Sequence, residues 1–270
     1  MDSTATRKLA KAIRSTALKM VHRARASHVG SALSIADILA VLYGSVMRLD
    51  ARDPGSPDRD RFILSKGHAC VAVYAALAEI GSFDRALLDS YGTDFSPFMN
   101  HISHKVAGVE FSTGSLGHGL PFGVGKALAA KSQGGTWRTF VLLSDGEMDA
   151  GSNWEALLFA AHHGLAGLTA IIDYNKLQSL DTVERTIGLE PLVEKLLAFG
   201  WHVVEVDCHD HSQILTALKT IDASRPSMIV AHTVKGRGVG FMENRVEWHY
   251  KSPNDEQLTL ALAEIEAADA

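Results

Sequence analysis

Residues 139–175 read TFVLLSDGEMDAGSNWEALLFAAHHGLAGLTAIIDYN. Two apolar runs, TFVLLSD and LTAIIDYN, are too short for core helices and rich in β-branched residues, so they read as strands covered on both faces. Asp145 closes the first and Asn175 the second, 30 positions later. That is the length of one strand–helix–strand unit, and it sets a carboxylate and an amide oxygen on the ends of adjacent parallel strands. The same rhythm extends outward, with RFILS upstream and WHVVEVD and SMIVAHTV downstream, and with Ile214, Leu215, Leu218 and Ile221 at helical spacing between the last two. The first fifty residues read as helical. Leu9, Ile13, Ala17, Met20 and Val21 share one face, and Ser34 to Asp37 reads as a capping box before a buried stripe of Ile35, Ile38, Leu39 and Leu42. The expected fold is α/β, a mostly parallel sheet with helices on both faces. No repeat or long linker divides residues 1–270, so a single domain is expected.

Ligands of such sheets sit beyond the carboxyl ends of the strands. His68 follows RFILSKG, Asp145 ends TFVLLSD, Asn175 ends LTAIIDYN, and Thr233 to Gly238 follow SMIVAH, so four strands deliver polar groups to one rim. Hard oxygen donors of this kind suit Mg²⁺ or Ca²⁺, with Mg²⁺ drawing its remaining ligands from phosphate and water. Taken alone, Asp145 reads more simply as a helix cap. The loop VEFSTGSLGHGLPFGVGKALAA at 109–130 leads into a helix and offers backbone N–H groups to an anion or a cofactor ring. It fails as a dinucleotide fingerprint, because its glycines run G-x-x-G-x-G, no strong strand precedes it, and no acid follows at the required distance.

Composition narrows the function classes. The chain has 270 residues, 46% hydrophobic, and a net charge of -5 from 26 basic and 31 acidic residues without long runs. Neither nucleic acid nor an anionic membrane finds an electrostatic footprint there. Cys70 and Cys208 are far apart and outside any C-x-x-C spacing, which fits a reducing compartment, and a cytoplasmic location is expected. The charged, periodic N-terminus is not a leader, and no apolar run reaches membrane-spanning length.

SDGEMDAGSNWEA followed by IIDYNKLQSLD resembles the thiamine-diphosphate signature, in which Asp-Gly is followed about thirty residues later by Asn. The resemblance implies thiamine diphosphate as cofactor, a metal held by Asp145, Asn175 and the carbonyl of Leu177, and close backbone approach at Gly146. Two departures stand out, Ser144 for the usual first glycine and Ala150 for a common acid, while Glu155 matches a second family acid. Four histidine contexts resemble transketolase in particular: His28 in SHVGS, His68 in LSKGHAC, His101 before GVEFSTGSLGHG, and His249 in EWHYKSP. Among thirteen histidines most are expected to be structural or solvated, and His162, His163, His209 and His211 receive no role. Imidazole titrates near neutrality, where a polyhydroxylated substrate must gain and lose protons.

By resemblance, His28 and His249 act as acid/base groups, His101 (or His104 in the same NHISHK stretch) grips the donor's terminal hydroxyl, and His68 and His249 contact the diphosphate. Gly114 and Leu116 border the cofactor, with Ser115 in place of the usual proline. The resemblance runs from the first helix to His249 and implies one subunit of a split transketolase of the pentose phosphate type. Such an enzyme moves a two-carbon ketol unit from a ketose phosphate to an aldose phosphate by way of a thiamine-diphosphate carbanion. The partner implied is a C-terminal transketolase subunit with the pyrimidine-binding domain, two of each chain forming the hetero-oligomer. SPNDEQLTLALAEIEAADA reads as a closing helix after Pro253, which favours a two-gene arrangement over truncation. Three alternatives remain: the decarboxylating subunit of a 2-oxo acid dehydrogenase, a non-catalytic cofactor-binding module, and a deoxyxylulose phosphate synthase. A lipoyl-domain neighbour would favour the dehydrogenase, and a pyrimidine-binding neighbour the split transketolase.

Overall fold

The computed structural model describes residues 3–268. Its elements run in the order α1 (Ser3–Ala24), α2 (Val29–Ser34), α3 (Ala36–Val41), β1 (Arg61–Leu64), α4 (Cys70–Glu79), α5 (Gly119–Gln133), β2 (Thr139–Ser144), α6 (Gly151–His162) and β3 (Leu168–Tyr174). There follow α7 (Val183–Thr186), α8 (Leu192–Ala198), β4 (His202–Asp207), α9 (His211–Lys219), β5 (Ser227–His232) and α10 (Asp255–Ala267). All five strands expected from the apolar runs are present and pair in parallel in the order β1-β2-β3-β5-β4.

Alternating strand side chains divide the core into two layers. Phe62, Phe140, Leu142, Ile171 and Ile229 face α1, α3, α4 and α9. Ile63, Val141, Leu143, Ile172 and Val230 face α5, α6 and α8. The chain steps from β2 to β3 with α6 on one face, then returns from the edge strand β4 to β5 with α9 on the other, as a constant right-handed crossover requires. That reversal opens a crevice past the ends of β3 and β5.

The N-terminal region differs from expectation in one respect. Ser34 does not cap a helix: it is the last residue of α2, and α3 follows Ile35 without a side-chain cap. Every residue from Val29 to Tyr43 is buried, so the Ser34 hydroxyl turns inward and donates to Asp173 Oδ2 at 2.8 Å and Ser31 O at 3.0 Å. A true capping box opens α10, where Asn254 and Gln257 exchange side-chain and backbone hydrogen bonds. Helix stops at Val46 rather than at position fifty, and Ile221 lies beyond α9.

Candidate functional site

In-register pairing of Ser144 with Asp173 brings Asp145, one residue on, beside the end of β3. Asp145 is 1% exposed. Its Oδ1 accepts the N–H of Gly146 at 2.8 Å and its Oδ2 that of Lys176 at 2.5 Å. Lys176 has a left-handed φ of 65°, a conformation sparsely populated by residues with a side chain. Burial, and next the charge of Asp173, push the Asp145 carboxyl up to about 7. Among the described residues no cationic side chain forms an ion pair with it.

Asn175 donates through Nδ2 to Asp173 Oδ2 at 3.0 Å and accepts the Leu177 N–H on Oδ1 at 3.0 Å. Asp173 can only accept, so the amide nitrogen must face it and the oxygen must face away. Burial alone would raise the pKa of Asp173, but Lys66 beside it outweighs burial, aided by Thr233 and Ser34, and holds the group below the usual carboxylate range. Lys66 and Asp173 form an ion pair with both side chains almost inaccessible. Among the described residues no three His, Cys, Asp or Glu side chains are arranged to hold a metal. A site of one carboxylate, one amide and one carbonyl oxygen would not form such a group.

Lys235 is 1% exposed, and its ammonium donates to the carbonyls of Leu177 at 3.1 Å and Gln178 at 2.9 Å and to His249 Nδ1 at 3.3 Å. Burial, then repulsion from Lys66, lower its pKa to about 8. No carboxylate pairs with it among the described residues. A buried carboxylate without a cation and a buried ammonium without an anion thus line the same cavity of about 270 Å³. Each charge is expensive to bury unpaired, and a divalent cation carrying a diphosphate would compensate both.

The four singled-out histidines converge on this cavity. The ring of His28 lies 5.1 Å from that of His68, 5.7 Å from His101 and 5.0 Å from His249. His28 adopts a left-handed φ of 72°, and its N–H donates to His249 O at 2.8 Å, tying the two acid/base candidates by backbone. Burial, then the charges of His101, Lys235 and Lys66, lower the pKa of His28 to about 4; burial, then Lys235 and His28, lower that of His249 to about 3. His68 is held well below its ordinary value by burial and then by Lys66. His104 turns away and bonds Ser112 Oγ at 2.7 Å, so of the NHISHK pair it is His101 that meets His28.

The glycine loop closes the same cavity, with Gly114 against the His101 ring and Leu116 40% exposed. Gly117 has φ 84°, and a Cβ there would come within 2.6 Å of Ala150 Cβ, so alanine at 150 leaves the loop room to approach. Glu147, which carries no signal in the sequence motifs, is fully buried and accepts from Ser65 Oγ, Gly117 N–H at 2.9 Å and Ser144 N–H at 3.3 Å. It fastens the loop to the ends of β1 and β2, whereas Glu155 is exposed on α6. Lys66, Asp173 and Lys235 are likewise not singled out by the sequence. Their signal was a charged residue embedded within or just after an apolar strand.

The family profile described as "Transketolase, thiamine diphosphate binding domain" matches residues 5–263. One of the two subunits of the apulose-4-phosphate transketolase of Phocaeicola vulgatus is 38% identical over 250 residues, covering 92% of this chain and 89% of that one. The 6-deoxy-6-sulfo-D-fructose transketolase subunit SqwG of a Clostridium species is 38% identical over 264 residues, 97% of this chain and 96% of that one. Human transketolase is 36% identical over 240 residues but is matched over only 38% of its length. The crystal structure of Campylobacter jejuni transketolase superposes with a TM-score of 0.92 at 27% identity, covering 98% of this chain and 43% of that one. With the profile matched over almost its whole length, this chain belongs to the transketolase family, in the group of subunits that carry the thiamine-diphosphate-binding domain.

Proposed function

We propose that the chain holds thiamine diphosphate through a divalent cation, Mg²⁺ or Ca²⁺, bound by Asp145, Asn175 and the Leu177 carbonyl, with His68, His249 and Lys235 facing the diphosphate. Gly114, Leu116 and Gly146 border the cofactor in this reading. The observation that carries it is the pair of uncompensated buried charges, Asp145 and Lys235, in one cavity. When bound, thiamine diphosphate supplies the carbon nucleophile that accepts and releases the two-carbon unit.

His28 and His249 supply the proton transfers. Lys235 donates to His249 Nδ1, which places the imidazole proton on Nε2, ready to be given to a substrate oxygen. His28 Nδ1 lies 3.3 Å from Ser27 Oγ. With Nδ1–H donated to that hydroxyl, His28 Nε2 is free to take the proton of the ketose C3 hydroxyl. Both rings are neutral near pH 7 in the uncomplexed chain, and the negative charge of a diphosphate would raise their pKa values toward the working range. His101 reaches the cavity from the side of Gly114 and grips the terminal hydroxyl of the donor.

The substrates in this reading are a ketose donor with a terminal anionic group and an aldose acceptor, and two relatives are named for apulose 4-phosphate and 6-deoxy-6-sulfofructose. The partner is a C-terminal transketolase subunit carrying the pyrimidine-binding domain, two copies of each chain assembling in the cytoplasm, with residues 1–270 as one domain. The four-histidine cavity disfavours the 2-oxo acid dehydrogenase alternative, whose substrate needs no base for a C3 hydroxyl. Assaying xylulose 5-phosphate with ribose 5-phosphate, and pyruvate separately, tests the assignment. Ketol transfer is expected only when the partner is added. Full turnover by the isolated chain, or a preference for pyruvate by the pair, would overturn it.

A further inference from the structure

Tyr250 is an aromatic residue left 58% exposed at the rim of a cavity whose other rings are imidazoles. Its ring centroid lies 4.7 Å from that of His249 and 6.2 Å from that of His28. His68 touches both of those imidazoles from elsewhere, and no ring contact joins it to Tyr250 among the described residues. The His28–His249 pair therefore separates His68 from Tyr250, and Tyr250 stands on the outward side. Its backbone is fixed, because Val246–His249 forms a 3-10 turn and the Tyr250 N–H donates to Glu247 O at 3.2 Å. Its hydroxyl makes no hydrogen bond among the described residues. The ring is thus a bulky group on a rigid base that contributes little to the core.

We propose that Tyr250 is a specificity-determining residue that narrows the mouth of the site and favours short aldose acceptors. The inference rests on the ketol-transfer reading above. The two-carbon unit is constant in every turnover, and the aldose is the part that varies. An aldose with its carbonyl at His28 and His249 must extend its remaining carbons away from the cofactor, along the side where Tyr250 stands. Steric volume at that point acts on chain length, and a single methylene's worth of fit is worth roughly 10- to 200-fold in discrimination.

The test uses the chain reconstituted with its partner and measures kcat/KM for glyceraldehyde 3-phosphate and for ribose 5-phosphate, alongside thiamine diphosphate affinity. Tyr250→Gly is expected to shift the ratio toward ribose 5-phosphate by about 10-fold or more, with the cofactor still bound. Tyr250→Phe keeps the ring volume and should keep the native ratio. An unchanged ratio in Tyr250→Gly, or an equal loss with both aldoses, would overturn the inference while leaving ketol transfer intact. Absence of transfer by the unaltered pair would instead remove the ketol-transfer reading, and this inference with it.

Discussion

Asp145 carries the clearest consequences at the scale of one residue. Its buried carboxyl has a pKa near 7 in the uncomplexed chain because burial and Asp173 both oppose its charge. Protons and a divalent cation must then compete for it, so cation-dependent thiamine diphosphate affinity is expected to fall as pH drops from 8 to 6. Calorimetric titration at several pH values reads this directly, and a pH-independent affinity would place the metal elsewhere. The sign for folding is the reverse. A carboxyl whose folded pKa is raised adds stability below pH 4 and loses it as pH rises through 7, so the metal-free chain gives up that contribution near neutrality. Asp145→Ala should remove cation-dependent binding yet leave the fold intact. In the reconstituted pair, His28→Ala is expected to slow transfer by about 100- to 10,000-fold with little effect on cofactor affinity, measured as kcat beside a binding titration. Asp145, Asn175 and the four histidines were legible in the sequence because their contexts are short and contiguous. Lys66 and Lys235 were not, since a lysine after a strand ordinarily faces water, and only the convergence of the segments after β1 and β5 buries these two.

Packing of α1, α3 and α9 depends on one buried cluster away from the cofactor cavity. Arg14 donates to both oxygens of Asp37 at 3.0 and 2.6 Å, His209 and His211 approach the same carboxylate at 2.7 and 3.1 Å, and His211 also meets Thr6 of α1 at 2.7 Å. Burial would raise the pKa of Asp37, but Arg14 and then the two histidines hold it well below the carboxylate range. Asp37→Ala strands the Arg14 charge in the core and should destabilise the chain by about 3–5 kcal/mol in a denaturant titration. A change much smaller than that would mean water relieves the arginine. His209 and His211, assigned no role from sequence, are in this sense structural. Helix boundaries in this region were the least legible part of the sequence. Ser34 matched a capping pattern, but the pattern assumes an exposed helix start, and here the whole stretch from Val29 to Tyr43 is enclosed. Close approach between elements leaves a similar trace in glycine. A Cβ at position 119 would fall 2.4 Å from the side chain of Ser65 and 2.6 Å from its Cα. Gly119→Ala should therefore push α5 away from β1 and lower stability by about 1–3 kcal/mol, seen as a reduced melting temperature.

Over the whole molecule, the sheet was the most legible feature, because each strand is a continuous apolar run and the parallel order follows from crossover length and handedness. Its order past β3 was not legible, since the position of β4 at the edge depends on which strand pairs with β5. The cofactor cavity draws on residues from His28 to Tyr250, almost the full span of the chain. Asp173 at its centre collects donors from Ser34, Lys66, Asn175 and Thr233, four segments that meet only in the completed fold. No local unfolding can therefore open one of these segments and leave the site able to bind. Whatever occupies the cavity selects the fully folded chain, adding about 2.7 kcal/mol to global stability at a hundred times its dissociation constant. In a cell, that makes the supply of vitamin and metal a determinant of how long each copy escapes proteolysis, so scarcity of the cofactor would thin the enzyme's numbers as well as silence it.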